Sequence, residues 1–128
     1  MFISKNLHII RGSSFDIPFK DAFFDMVYTS GVLIHVSPGN IKKAISEIRR
    51  CAMRYIWGFE YYAPSYTEIV YRGEKSLMWK NDFAGLYVDT CRDLMLIREK
   101  KFKYLENSNV DQMFLLEING SPSAVGPV

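Results

Sequence analysis

Few residues in this chain have both the type and the setting for chemistry. His35 follows a short apolar run, and an imidazole titrating near neutral pH can orient a substrate or act as a base. The plainer reading is a histidine at a helix entry, satisfied by backbone. Glu60 closes an aromatic run and is followed by Tyr61 and Tyr62, so a carboxylate able to accept a proton stands beside two phenols. Tyr71, Arg72, Gly73 and Lys75 form a compact polar cluster, in which Arg72 can hold a carboxylate or phosphate through a bidentate pair. A solvated loop with a tight turn at Gly73 is the competing reading. Ser30 and Gly31 follow a strand-like run, where serine and glycine serve equally as turn formers. Trp57, Trp79 and His8 read as packing or structural residues.

The elements that must position these groups follow from hydrophobic periodicity. LHII, residues 7–10, is short and apolar and is ended by Gly12, Ser13 and Ser14, the pattern of a buried parallel strand. FDIPFKD, residues 15–21, reads as a loop and FDMVYT, residues 24–29, as a second strand. Ser37 is placed to cap a helix and Pro38 to occupy its first position. Ile41, Ala44, Ile45, Ile48, Cys51 and Ala52 then recur at helical spacing, with Lys42, Lys43, Glu47, Arg49 and Arg50 largely opposite. YIWGFEYY, residues 55–62, is an aromatic strand ended by Pro64. Residues 65–75 read as a loop leading to a helix near residues 82–91, where Asp82 is a cap or first-turn acid and Phe83, Leu86 and Tyr87 mark the inner face. Residues 94–105 and 112–118 form two strands joined by ENSNV, an antiparallel hairpin. The sum is an α/β layout.

Composition sets the bounds. At 128 residues, 48% hydrophobic and 15% aromatic, the chain holds enough apolar material for one core and lies far from disordered compositions. Sixteen basic and fourteen acidic residues leave a net charge of +2 with alternating signs, which does not imply nucleic acid. Cys51 and Cys91 lack metal-ligand spacing and suit reduced thiols in a cytoplasmic setting. No apolar run suggests a membrane span or a signal peptide. Residues 120–128, GSPSAVGPV, read as a flexible tail behind a domain at residues 1–119.

Four strings carry a resemblance. GSSFDIPF (residues 12–19), FDMV (24–27), LIHV (33–36) and EIRR (47–50) resemble, in that order, successive motifs of the class I S-adenosylmethionine-dependent methyltransferases. GVLIHVSP, EYYAP, YRGEK and KNDFAG look, more narrowly, like the methylases associated with pseudaminic acid biosynthesis, which implies a sugar or sugar-nucleotide substrate. The family fold has seven strands, the last antiparallel and inserted beside the fifth. The resemblance makes this chain the third to seventh of them: an incomplete Rossmann-like methyltransferase sheet, mostly parallel with a C-terminal antiparallel hairpin.

The resemblance also implies site roles. Ser13, Ser14 and Phe15 take the adenine side of S-adenosylmethionine, with Ser13 standing where the family has an aspartate and Phe15 or Asp16 as substitutes. Ser30 and Gly31 touch its methionine portion. His35 and Glu60 are the catalytic candidates, and Tyr61, Tyr62, Tyr71 and Arg72 face the substrate. The glycine-rich turn and the ribose-binding acid of the family are not in these 128 residues, since Gly12, Gly31, Gly39 and Gly58 are isolated. The expectation is a chain inactive alone, or a non-catalytic subunit. Its uncovered apolar sheet calls for a homo-oligomer or a partner chain.

Overall fold

A computed structural model describes residues 6–120; the expected tail lies outside the described residues from position 121 onward. Two strands run in parallel, β1 (Phe24–Ser30) and β2 (Ala52–Tyr61), in a register that sets Tyr28 against Trp57. They are connected through a 3-10 turn (Leu33–His35) and the helix α1 (Ile41–Cys51). In α1 the residues Ile41, Ala44, Ile45, Ile48 and Cys51 are buried, the face that the i, i+3, i+4 spacing marks. Arg49 and Arg50 lie in the last turn, where cations offset the carbonyl end of the helix.

The helix starts later than its cap signal. Ser37 and Pro38 do not begin it; the Ser37 carbonyl accepts from the Asn40 amide at 2.9 Å, and the Ser37 hydroxyl accepts from Asn40 Nδ2 at 3.1 Å. Residues 37–40 thus close a turn of their own, and Asn40 occupies the N-cap without a side-chain bond into the helix.

Beyond Pro64 the chain departs from the expected loop. β3 (Thr67–Tyr71) and β4 (Glu74–Lys80) form a two-stranded hairpin. Its turn places Arg72 and Gly73 at φ 52 and 79, the paired positive values of a type I′ turn, in which arginine is an unusual first residue. Ser76, also at positive φ, is held where its amide donates to Glu68 Oε1 at 2.6 Å. The helix α2 (Phe83–Thr90) follows, capped by Asp82, whose carboxylate accepts from the Gly85 amide at 3.1 Å.

The chain ends in the hairpin β5 (Leu94–Lys103) and β6 (Val110–Ile118). The sheet order is β1-β2-β6-β5; β6 is antiparallel to both neighbours, so β1, β2 and β5 run one way and β6 alone runs back. This is the expected mixed α/β sheet, with the last strand inserted beside β2.

One expected strand is missing. Residues 7–10 form no strand and are exposed, Leu7 at 48%, Ile9 at 63% and Ile10 at 56%. A strand exists only as a ladder, and this run joins none: β1 stands at an edge of the sheet with one side open, yet residues 7–10 do not pair with it.

Both helices pack on one face of the sheet, against Ile56, Phe114 and Leu116, with Phe83 and Tyr87 of α2 fully buried. Cys51 is buried, Cys91 half-buried, and both thiols are free. No described helix is long and apolar enough to cross a membrane. Gly58 is required by packing. It faces Phe114 across the β2–β6 ladder, and a Cβ at Gly58 would lie 2.1 Å from the Phe114 ring. Gly58→Ala is therefore expected to destabilise by about 1–3 kcal/mol through overpacking. Gly58→Ala with Phe114→Leu should regain part of that in urea midpoints, and equal losses in both variants would contradict the assignment.

Candidate functional site

At the carboxyl end of β1 the chain turns sharply at Gly31, φ 64, whose amide donates to the Phe59 carbonyl at 2.9 Å. Ser30 and Gly31 open on a cleft of about 250 Å³ walled by Ile34, Phe59, Glu60, Tyr61, Tyr104 and Asp111. The end of a parallel strand is where open α/β sheets bind ligands. A Cβ at Gly31 would meet nothing within 4 Å, so the backbone here is free to be approached closely.

Glu60 is the most deeply buried charged group of this wall, 1% exposed. Its Oε2 accepts from Thr29 Oγ1 at 2.8 Å and from the Val32 amide at 3.4 Å, and its Oε1 accepts from the Ile34 amide at 3.4 Å. The carboxylate thus ties the last buried residues of β1 and the first amides of the 3-10 turn to the end of β2. Burial pushes its pKa up, against the lowering effect of Thr29 and the amides of residues 32–34. The buried Tyr87 phenol is raised by burial and then by the Glu60 charge, and its hydroxyl has no hydrogen-bond partner among the described residues.

His35 is exposed on the same turn but outside the cleft. Its Nδ1–H donates to the Leu77 carbonyl at 3.0 Å; a carbonyl can only accept, so the neutral ring carries its proton there and leaves Nε2 as the free lone pair. Tyr71 stands edge-on, ring centroids 6.3 Å apart, and the Arg72 guanidinium covers the Tyr71 ring at 5.2 Å. His35, Tyr71 and Arg72 therefore form a group at the tip of the β3–β4 hairpin.

The remaining candidates stand elsewhere. Tyr61 lines the cleft beside Tyr104, centroids 5.9 Å apart, and Tyr62 instead lies under Lys101 Nζ at 4.4 Å. The Tyr104 phenol is raised chiefly by its bond to Tyr61. Ser13, Ser14 and Phe15 belong to a small loop closed by the Ser13–Asp16 bridge, with the Phe15 amide donating to Ser13 Oγ at 3.1 Å, and they do not line the cleft.

Two residues that fix this loop, Glu47 and Arg50, read in the sequence as part of a helix face and of the EIRR string, with no role at the site. Glu47 Oε2 accepts from the Ile17 amide at 2.7 Å, and Arg50 donates to the carbonyls of Ile17 and Phe19 at 2.8 and 2.7 Å. Arg50 also pairs with Glu47, whose pKa that bond lowers. The i, i+3 spacing on α1 was a visible signal for the pair, but nothing local showed that it faces residues 17–19. Tyr104 and Asp111 also went unnoticed, since the cleft brings them in from the far hairpin. Among the described residues no cluster suits a metal ion.

A group whose folded-state pKa is raised holds its proton more tightly when folded. Its contribution to stability is thus greatest below the ordinary carboxyl value of ~4.3 and is lost as pH rises through the raised one. The stability of the wild type relative to Glu60→Gln should therefore decline as pH rises above the ordinary carboxyl value. Urea unfolding as a function of pH checks it, and a pH-independent difference would contradict the role given to burial.

Comparison with known proteins accords with this geometry. Residues 2–54 match the family model of the methyltransferase domain. No curated protein matches the sequence. A SAM-dependent methyltransferase from Methanosarcina mazei is 12% identical, with 84% of this chain and 65% of that one covered at a TM-score of 0.66. The Burkholderia thailandensis 1,6-didemethyltoxoflavin-N1-methyltransferase, solved with 1,6-didemethyltoxoflavin and S-adenosylhomocysteine, is 10% identical, covering 86% and 50% at 0.66. A complex from Haloferax volcanii, between the Trm112 methyltransferase activator and a protein assigned as a methyltransferase, gives 12% identity, 95% and 65% coverage and a TM-score of 0.67. The chain thus spans 50–65% of the length of these structures. Over that span it has the mixed α/β fold of the class I SAM-dependent methyltransferases.

Proposed function

We propose that this chain forms the acceptor-side part of an S-adenosylmethionine-dependent methyltransferase domain, and that the 128 residues alone bind the donor weakly and do not catalyse transfer. The observation that carries the reading is the Ser30–Gly31 turn at the end of the parallel strand β1, opening on the cleft walled by Glu60 and Tyr61. When bound, S-adenosylmethionine supplies an electrophilic methyl group on a sulfonium sulfur. Gly31, with open space at its Cα, fits the approach of the donor's methionine end, and Ser13, Ser14 and Phe15 are assigned to its adenine side. The cleft of about 250 Å³ falls short of the ~300–1,000 Å³ typical of small-molecule sites, which suits one wall of a site.

Methyl transfer by in-line displacement needs mainly positioning and desolvation. Glu60 supplies the first: both carboxylate oxygens are engaged in holding the turn that carries Ser30, Gly31 and His35. His35, on the outer side of the same turn with Nε2 free, is assigned the proton of an acceptor hydroxyl or amine that reaches across the turn to the cleft. Arg72, on Tyr71, holds an anionic group of the acceptor, with Tyr61 and Tyr62 as further contacts. The likeness to methylases associated with pseudaminic acid biosynthesis makes that acceptor a sugar or sugar nucleotide. The reading places the protein in the cytoplasm, as one domain at residues 1–119 with a tail at 120–128.

A second reading, a non-catalytic subunit that assembles with itself or a partner, is favoured by the sheet face that neither helix covers. The Haloferax volcanii neighbour is itself in complex with an activator.

Calorimetry with S-adenosylhomocysteine separates the readings. Binding only in the millimolar range, abolished by Gly31→Val, is the expected result. Stoichiometric micromolar uptake would overturn the claim that the chain is inactive alone, and no binding at any concentration would favour the second reading.

A further inference from the structure

The face of the sheet opposite α1 and α2 is built in cross-strand rows. One row runs Tyr28, Trp57, Leu115, Arg98 from β1 to β5, and the next continues it with Phe59, Met113 and Lys100. The aromatic part is ordered: Trp57 and Phe59 stack with centroids 6.3 Å apart at 15°, and Tyr28 meets Trp57 edge-on at 5.9 Å. Tyr28 is 65% exposed and Met26 50%. Between Trp57, Met113 and Leu115 on one side and Arg98 and Lys100 on the other lies a hollow of about 320 Å³.

The β5 edge of this face is basic. Arg98 and Lys100 border the hollow there; among the described residues neither is in an ion pair, whereas Glu99, which also lines the hollow, is paired with Lys101, and the acids of the face, Asp111 and Glu117, stand on β6. Unpaired cations along one edge of an apolar floor call for anionic groups on what covers it. Four strands at ~4.8 Å spacing make a floor about 14 Å wide, the room for one helix of ~10–12 Å diameter. A helix on a sheet is also the general way such a face is buried.

We infer that this face docks an amphipathic α-helix of a partner chain, its apolar stripe on Trp57, Met113 and Leu115 and a flank of acidic residues over Arg98 and Lys100 of β5. The hollow receives one large apolar side chain of that helix. A second copy of this chain fits poorly, because the outward face of α1 carries Lys42 and Lys43, which would bring like charges to β5. The inference does not rest on donor binding, and its test contains no S-adenosylmethionine.

Two synthetic helical peptides with the same leucine stripe, one flanked by glutamates and one by lysines, are titrated against the chain by fluorescence anisotropy. The glutamate peptide is expected to bind saturably, with affinity that falls as salt rises. Arg98→Glu with Lys100→Glu should weaken it about tenfold or more and let the lysine peptide bind instead. Tyr28→Glu should weaken both peptides alike. All three substituted positions are exposed, and matched thermal melts confirm that the variants fold. Equal binding of the two peptides, indifference to charge reversal, or no saturable binding would each overturn the inference. So would sedimentation showing a dimer that Tyr28→Glu dissolves, or pelleting with phosphatidylserine vesicles that the glutamate peptide does not compete away.

Discussion

The buried carboxylate of Glu60 is the point on which the geometry of the site depends. Putting a charge out of water costs several kcal/mol unless it is paired or well bonded. Here the hydroxyl of Thr29 and the amides of Val32 and Ile34 surround it. Those bonds come from residues 26–31 positions away, so satisfying one side chain fixes how β1 leaves the sheet. The turn then has one course available to it: Gly31 takes a left-handed conformation, Leu33 and Ile34 enter the core, and His35 is left outside against Leu77. The cleft and the hairpin-tip cluster are two sides of that single turn.

Much of the fold was legible because it is written in local periodicity. The apolar positions of α1, the aromatic β2 and the hairpin around residues 104–109 each carry a pattern of one secondary structure, and each forms near its expected place. The failures have a common physical form. Residues 7–10 have strand composition, but a strand depends on a neighbour that no local pattern can promise. Residues 67–80 form a hairpin despite weak alternation and an arginine in the turn, because Glu68 satisfies the Ser76 amide and β4 packs on the 3-10 turn. Ser37 and Pro38 carried a helix-start signal, yet the bonds between Ser37 and Asn40 used it for a turn.

The site was legible by residue type and less so by arrangement. Ser30, Gly31, Glu60 and Tyr61 do converge on one cleft, since β1 and β2 end side by side. His35, Tyr71 and Arg72 group separately, and Ser13, Ser14 and Phe15 are held on a loop whose position is set by Glu47 and Arg50. A side chain's type can be read alone, but its partner across thirty residues of chain cannot. The same limit explains Glu60, whose type suggests a base while its bonds make it a structural tie.

The two faces of the sheet are linked through β2. Its alternate residues Ile56, Gly58 and Glu60 point to the helices, and Trp57, Phe59 and Tyr61 to the uncovered side. Phe59 and Tyr61, with Asp111 from β6, also wall the cleft. The cleft is therefore continuous with the open face, and a helix seated along Trp57 and Phe59 would close its unfinished side. In water the aromatic wall has no reason to exclude solvent from a reacting group, whereas beneath a covering helix it would become part of a dry enclosure in which charge interactions strengthen. On the proposed reading, covering the sheet and completing the cleft would be one structural event, and whatever docks on the face would shape the surroundings of the turn.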